Sequence, residues 1–400
     1  MSRLVGGCPP SARLPRAGKL VAPGHFIQCY KGYRVVERMY RLNLIPSLTR
    51  SDFKINHIRR RVRREWLSVS LGCHVQGAIL PAPNPNDVGN MVAGAIKRVG
   101  CLLPIIKPGE LRAVRNFTRR WVKRHLTPLS ASEDYTVETW LANSGYEDWR
   151  KDQLRRSWKV VDNGRAVNYR HYRCKSFIKR EGYIEFKYPR TINARSDAFK
   201  CLTGPSFSRI ESVLCQNSAY VKCRDIADRP SYIASRFPEG QAVRATDYTT
   251  FEASFSSRVL YAIEMQLYSY MLKNVPGYQD LMDHIRRALC GRQNCQMGGR
   301  KYSGIKYSME GTRMSGDMCT SLGNTFTNMI LMEYACSKVG SSVVGVYEGD
   351  DGLSLIKGRK PSPETFTNLG FKLKLEDVPD AASASFCGNV FVRGENCNIC

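Results

Sequence analysis

The stretch VVGVYEGDDGLSL, residues 343–355, sets two aspartates side by side between glycines, with strand-forming residues on both flanks. Val343, Val344, Val346 and Tyr347 favour one β-strand, and Leu353, Leu355 and Ile356 favour its partner. Gly349 and Gly352 supply the backbone freedom of a tight turn, so the spacing predicts a β-hairpin with Asp350 and Asp351 at an exposed tip. Neighbouring carboxylates repel, and a stable chain gains little from them unless something positive seats there. An Asp-containing turn is also a common structural device. A third carboxylate has to decide between the two.

Asp247 supplies it. QAVRATDY (241–248) reads as a short strand, with Asp247 near its end, where a side chain projects from the edge of a sheet. A hard divalent cation takes oxygen ligands, and Asp247 with Asp350 would hold two such ions between them. A pair of ions activates an attacking hydroxyl and stabilises a leaving oxygen in an in-line phosphoryl displacement. The ions would also make the clustering of acids tolerable.

Composition bounds the rest. The 400 residues suggest two or three lobes around a shared core, and a 42% apolar share permits a sizeable one. No run of eighteen apolar residues occurs, so no segment of this chain reads as a membrane span. The N-terminal MSRLVGGCPPSARLPRAGKLVAPG lacks the apolar centre of a secretory signal and reads as a basic arm. Fifteen irregularly spaced cysteines suggest reduced thiols in a cytosolic setting rather than a disulfide framework. The terminal CNIC holds half of a zinc ligand set.

The net charge of +26 is uneven: residues 1–200 hold 39 Lys+Arg against 15 Asp+Glu, leaving 22 against 20 for residues 201–400. A basic half suits a lobe that tracks a polyanion while another does chemistry. IRRRVRREW (58–66) reads equally as an RNA-binding patch or a solvated helix face, and NFTRRWVKRHL (116–126) as an amphipathic basic helix. LPAPNPNDVGN (80–90) reads as a linker or long loop. TTFEASFSSRVLYAIEMQLYSYML (249–272) reads as a turn into one long helix, and GGRKYSGIKYSMEG as strand-like. SGDMCTSLGNTFTNMILMEYACSKV is a helix with Ser315, Gly316 and Asp317 near its N-cap, and LGFKLKLED alternates apolar and charged residues as a strand. Strands interleaved with helices and closed by an antiparallel hairpin predict an α+β fold.

These segments carry a resemblance. DYTTFE, SGDMCTSLGN and YEGDDG resemble, in order, motifs A, B and C of viral RNA-dependent RNA polymerases, and GTRMSGDMCTSLGN is similar to those of tombusvirus-like positive-strand RNA viruses, in the flavivirus-like supergroup. KSFIKREGYIEFKYPRTINARSD resembles the basic motif F; LGFKLKLED and FCGNVF resemble motifs D and E. The resemblance covers about residues 175–391.

It implies a right-hand polymerase. Residues 111–240 and the insertion 270–310 would be fingers, 241–269 and 311–400 palm with an antiparallel sheet flanked by helices, and 1–110 a basic region of unknown role. Asp247, Asp350 and Asp351 would be catalytic and bind two Mg²⁺ or Mn²⁺ ions. Glu252, Ser315, Gly316, Thr320 and Asn324 would recognise the nucleotide, with Glu252 and Asn324 at the ribose 2′-hydroxyl. Lys179, Arg190 and Lys187 would meet the triphosphate, with Arg180 and Arg195 as further contributors; Lys372 or Lys374 would protonate the departing pyrophosphate. Partners would be RNA template and product, ribonucleoside triphosphates and other viral replication proteins, in the host cytoplasm or at membrane-associated replication complexes.

Two departures stand out. Glu252 occupies a position where the family usually carries Asp, and only nine residues follow FCGNVF, so a helical thumb is expected to be missing or truncated. Two other readings remain open: a reverse-transcriptase-like polymerase, and a catalytically impaired relative that binds or packages RNA.

Overall fold

The computed structural model describes residues 49–58, 69–70, 79–80, 83–182, 188–299, 303–387 and 389–390. Nine strands build two sheets: β1 (Lys54–Ile58), β2 (Cys174–Ile178), β3 (Thr191–Ala194), β4 (Val243–Tyr248), β5 (Arg292–Gly298), β6 (Gly304–Glu310), β7 (Ser342–Glu348), β8 (Asp351–Lys357) and β9 (Leu373–Val378). The helices that position the site are α1 (Val88–Ala95), α2 (Pro108–His125), α3 (Asp197–Leu214), α4 (Phe251–Ser254), α5 (Ser257–Ala262), α6 (Glu264–Met271), α7 (Tyr278–Leu289) and α8 (Thr320–Lys338). The fold is α+β, as the sequence predicts.

One sheet has the order β9-β4-β8-β7 and is antiparallel throughout. The other has the order β1-β6-β5-β2-β3 and contains one parallel pair, β2 with β5, in register at Cys174 and Cys295. An antiparallel sheet alone is therefore not the whole fold. More than a hundred residues separate β2 from β5, long enough for the crossover a parallel pair needs.

The helix α8 is buried along most of its length, from Leu322 to Cys336, and anchors the largest apolar cluster with α2, α5, α6 and α7. A second cluster joins Val88, Met91, Val92, Ala95 and Val99 to Cys174, Ile178, Met297, Ile305 and Tyr307. The region before residue 110 thus contributes to the same core as the five-stranded sheet. The supposed linker at 80–90 ends in a cap: the Asp87 carboxylate accepts from the Gly89 and Asn90 N–H groups and opens α1. A π-helical turn, Ile96–Gly100, follows α1 and packs on α4.

The long helix expected after Asp247 is broken into α4, α5 and α6. The Glu252 carbonyl accepts from Arg313 N–H at 3.0 Å and the Phe255 carbonyl from Thr312 N–H at 2.5 Å, so a crossing strap takes bonds that a continuous helix would use. Ser256 then caps α5 by accepting from Val259 N–H. Cysteine chemistry differs from expectation at one pair, since Cys215 and Cys223 are joined as a disulfide; eight further described cysteines are unbonded to one another. The segment 59–66, Lys187 and the terminal CNIC lie outside the described residues.

Candidate active site

Strands β7 and β8 form the predicted hairpin, with Glu348 paired to Asp351 across a two-residue connection. Gly349 takes φ +63°, a conformation with a Cβ penalty for other residues, and suits the first central position of a II′ turn. Gly352 serves otherwise. It lies in β8, where an added Cβ would stand 2.8 Å from both Thr246 Oγ1 and the Tyr347 ring, so volume rather than turn geometry excludes a side chain there.

The helix α8 holds the tip from behind. Thr325 Oγ1 accepts from Gly349 N–H at 2.8 Å, and Asn328 Nδ2 donates to the carbonyls of Gly349, Asp350 and Asp351 at 3.3, 3.0 and 3.1 Å. Asn328 Oδ1 in turn accepts from Tyr248 O–H at 3.2 Å, which ties the tip to the end of β4. Backbone groups at a turn that sheet bonding leaves unpaired are thus satisfied by one amide.

β4 lies between β8 and β9, in register at Thr246–Gly352 and at Asp247–Lys374. One step beyond the Thr246–Gly352 pair, the two strands carry Asp247 and Asp351. The carboxyl pKa of Asp351 is pushed up, first by loss of hydration and also by the charge of Asp247, against hydrogen bonds from Cys387 that pull it down. Asp350 is exposed at the tip yet backed by enough protein to lose part of its hydration, which raises its pKa. Asp351 and Glu252 add to that rise, while its own N–H and Arg98 oppose it. The site is an acid cluster short of counter-charge.

Carboxylate oxygens are the donor set a hard divalent cation takes, and the repulsion among them is what such a cation would relieve. Among the described residues, no three His, Cys, Asp or Glu side chains are gathered closely enough to hold an ion alone.

Arginines position the two residues expected at the sugar. Arg98, from the π-helical turn, donates through Nη1 to Glu252 Oε2 at 2.8 Å, with both side chains half-buried. Arg313, fully buried, donates through Nε to Asn324 Oδ1 at 3.0 Å and pairs with the buried Glu264 through Nη2. Burial pulls the Arg313 pKa down, and Glu264 together with Cys319, Tyr268 and Asp317 more than reverses that, so Arg313 remains charged. Thr320 Oγ1 donates to the Met314 carbonyl, so it braces the turn before α8.

Ser315 and Gly316 are held on β3: Ser315 Oγ accepts from Asn193 N–H at 3.2 Å, and Gly316 N–H donates to the Asn193 carbonyl at 2.9 Å. Asp317 is no helix cap, because it is buried against Arg195. Arg195 donates through Nε to Asp317 Oδ1 at 2.7 Å and through Nη2 to Gln293 Oε1 at 2.8 Å, each charged side chain being 1% exposed. It cannot line a solvent channel, which corrects its expected place among the triphosphate contacts. Lys179 and Arg190 close the base of the β2–β3 hairpin through the bond from Lys179 N–H to the Arg190 carbonyl. Both face Glu181, at 2.9 and 3.6 Å, and both stay largely exposed. Lys374 is exposed and pairs with Glu376 at 2.8 Å, whose carboxylate raises its pKa.

Residues 247–392 match the family model of viral RNA-dependent RNA polymerases. The matched stretch begins at Asp247, in the last two residues of β4, and takes in α8 and the acidic hairpin. The chain is also 25% identical over 231 residues to the RNA-directed RNA polymerases of Greasy grouper nervous necrosis virus and Striped jack nervous necrosis virus, across 54% of this chain and 22% of each relative. It is 31% identical over 97 residues to that of Groundnut rosette virus (strain MC1), across 22% of this chain and 12% of the relative. The 231 aligned residues thus span about a fifth of the length of the first two relatives.

Three site residues escape a reading of the sequence: Arg98, Arg313 in its pairing with Asn324, and Asn328. Arg98 lies before the polymerase match and is one of 61 Lys and Arg residues. Asn328 had a signal, since it follows Asn324 by one helical turn and therefore shares its face.

Proposed function

We propose that this chain is the catalytic part of an RNA-directed RNA polymerase of the tombusvirus-like positive-strand group. It would join a ribonucleoside monophosphate to an RNA 3′-hydroxyl on an RNA template and release pyrophosphate. The observation that carries this reading is the seating of the 349–350 turn beside the end of β4, which sets Asp351 against the charge of Asp247 and Asp350 against those of Asp351 and Glu252. The polymerase family match over the same strands supports it. In this reading the antiparallel sheet belongs to the palm and the five-stranded sheet to the fingers.

Asp247, Asp350 and Asp351 would hold two Mg²⁺ or Mn²⁺ ions, which when bound supply charge neutralisation at the reacting oxygens. Asn328 and Thr325 keep the acid-bearing turn in place, so the carboxylates are preorganised rather than gathered at each turnover. Lys179 and Arg190, on leaving Glu181, offer a point charge and a planar fork to the triphosphate. Lys374, in register with Asp247, is the better placed of the two candidate proton donors to pyrophosphate, and it must first leave Glu376. The solvent face of α2, with Arg119, Arg120, Lys123 and Arg124 exposed, suits RNA phosphates, and binding should weaken steeply with salt. Work on an RNA genome in the host cytoplasm, alongside other viral replication proteins, follows from the same reading.

The test is primer extension on an RNA template with the Asp350→Ala variant. Incorporation should vanish while RNA binding stays within a few-fold of the unaltered chain. An unchanged extension rate rejects the proposal, and RNA binding without incorporation by the unaltered chain favours the packaging relative. Supplying deoxynucleotides and DNA templates in parallel separates a reverse-transcriptase-like enzyme.

A further inference from the structure

The two side chains expected at the nucleotide sugar share a feature that neither motif explains. Each has one polar end occupied by an arginine. Glu252 gives Oε2 to Arg98 Nη1, and its Oε1 has no hydrogen-bond partner among the described residues. Asn324 gives Oδ1 to Arg313 Nε, and its Nδ2 has none. Arginine donates and never accepts, so the bond from Arg313 fixes which end of the Asn324 amide is oxygen. The nitrogen, a donor, is the end left over. On the other residue the end left over is a carboxylate oxygen, an acceptor.

A hydroxyl is the group that meets both, since it donates one hydrogen and accepts at its lone pairs. The two free ends are also mechanically joined. Arg313 binds Asn324 through its side chain and Glu252 through its backbone N–H, which donates to the Glu252 carbonyl at 3.0 Å. The guanidinium is locked in turn by Glu264, whose carboxylate also accepts from Tyr268 O–H and Thr327 O–H. Room for this assembly exists because residue 323 is glycine: a Cβ there would stand 2.6 Å from Arg313 Nη2 and from Glu264 Oε2. Arg98 is anchored just as firmly, on a turn whose Val99 is buried and whose neighbour Cys101 donates to Thr250 Oγ1. The extra methylene of glutamate is accounted for, because Glu252 reaches out to a cation on a separate segment of chain.

We propose that Arg98 and Arg313 are positioning residues that polarise Glu252 and Asn324, leaving one acceptor and one donor matched to the ribose 2′-hydroxyl, so that sugar selection depends on residues that never touch the sugar. This rests on the polymerase reading above. It also makes the segment before residue 110 a working part of the catalytic unit.

The experiment compares ATP with 2′-deoxy-ATP on the full chain in two ways: template-directed incorporation, and equilibrium binding followed by tryptophan fluorescence in the presence of Mg²⁺. Arg98→Gln should lower the ribose preference about tenfold, by weakening ATP while leaving 2′-deoxy-ATP unchanged, as expected when a polar partner is mispositioned. Arg98→Lys, which can still hold one carboxylate oxygen, should restore part of the preference. For the buried arginine, Arg313→Met alone strands Glu264, so Arg313→Met with Glu264→Gln is the working variant, and it should show the same loss. A variant that melts as a folded protein and keeps the unaltered ribose preference, at either arginine, overturns the inference. Failure of the polymerase reading looks different: the unaltered chain would incorporate neither nucleotide. The binding arm still decides the inference in that case, since equal affinity of the unaltered chain for ATP and 2′-deoxy-ATP overturns it.

Discussion

Two places in this molecule handle charge in opposite ways. At the hairpin tip, Asp350 and Asp351 stand beside Asp247 and Glu252, like charge against like, at a surface water can reach. Beneath it, Arg195 meets Asp317 and Arg313 meets Glu264, unlike charge against unlike, each side chain at most 1% exposed. Among the described residues both buried arginines have their anions, because an unpaired buried charge would be ruinous. At the tip the imbalance is tolerated. In the proposed polymerase, the charge left unbalanced there is where an outside cation would act.

That contrast can be broken from either side. Asp350→Asn should cut nucleotide incorporation by at least about a thousandfold, the order seen when one member of a catalytic unit is lost. Its stability, read by urea unfolding in chelator, should be unchanged or higher by up to about 1 kcal/mol, because one repelling charge has gone. Asp317→Asn should do the reverse in stability, costing about 3–5 kcal/mol by leaving Arg195 buried without its anion. If both changes destabilise equally, the tip is an ordinary structural element and the contrast falls.

The strands on either side of the tip were open to reading from the letters alone. β4, the hairpin and β9 are short, and Leu373 and Leu375 alternate with Lys374 and Glu376 as a half-buried strand should. The acidic residues of the site follow from those strands. The breaks between α4, α5 and α6 were not legible, because what interrupts them is a strap about sixty residues further on, at Thr312 and Arg313, which takes the carbonyls of Phe255 and Glu252. Arginine roles were hidden for a similar reason. Nothing local separates Arg195, which is sealed in the interior, from Arg190, which faces solvent; only the distant Asp317 and Gln293 make the difference.

Smaller effects sharpen the picture. Asn328→Ala removes the amide that three carbonyls of the tip share, and should cost about 1–3 kcal/mol together with a drop in incorporation about tenfold or more. Gly349→Ala, forced to φ +63°, should cost about 1–2 kcal/mol by thermal unfolding. The smallest effect lies at the sheet edge remote from the tip. Arg244 holds Asp377 in a two-bond pair at 2.8 and 3.0 Å and, helped by Lys360, lowers its carboxyl pKa from 3.8 to about 2. A depressed folded pKa stabilises above 3.8, and that contribution is lost as pH falls through about 2. Asp377→Asn should therefore flatten the stability profile between those values and leave neutral-pH activity intact.

The glycines that bracket the two aspartates obey separate constraints. Gly349 is required by a dihedral angle, whereas Gly352 is required by the bulk of Tyr347 and Thr246 pressed against it. The second constraint is negotiable in a way the first is not. A chain in which residue 347 shrank would gain room for a larger residue at 352, so these two letters should drift as a couple while residue 349 stays put.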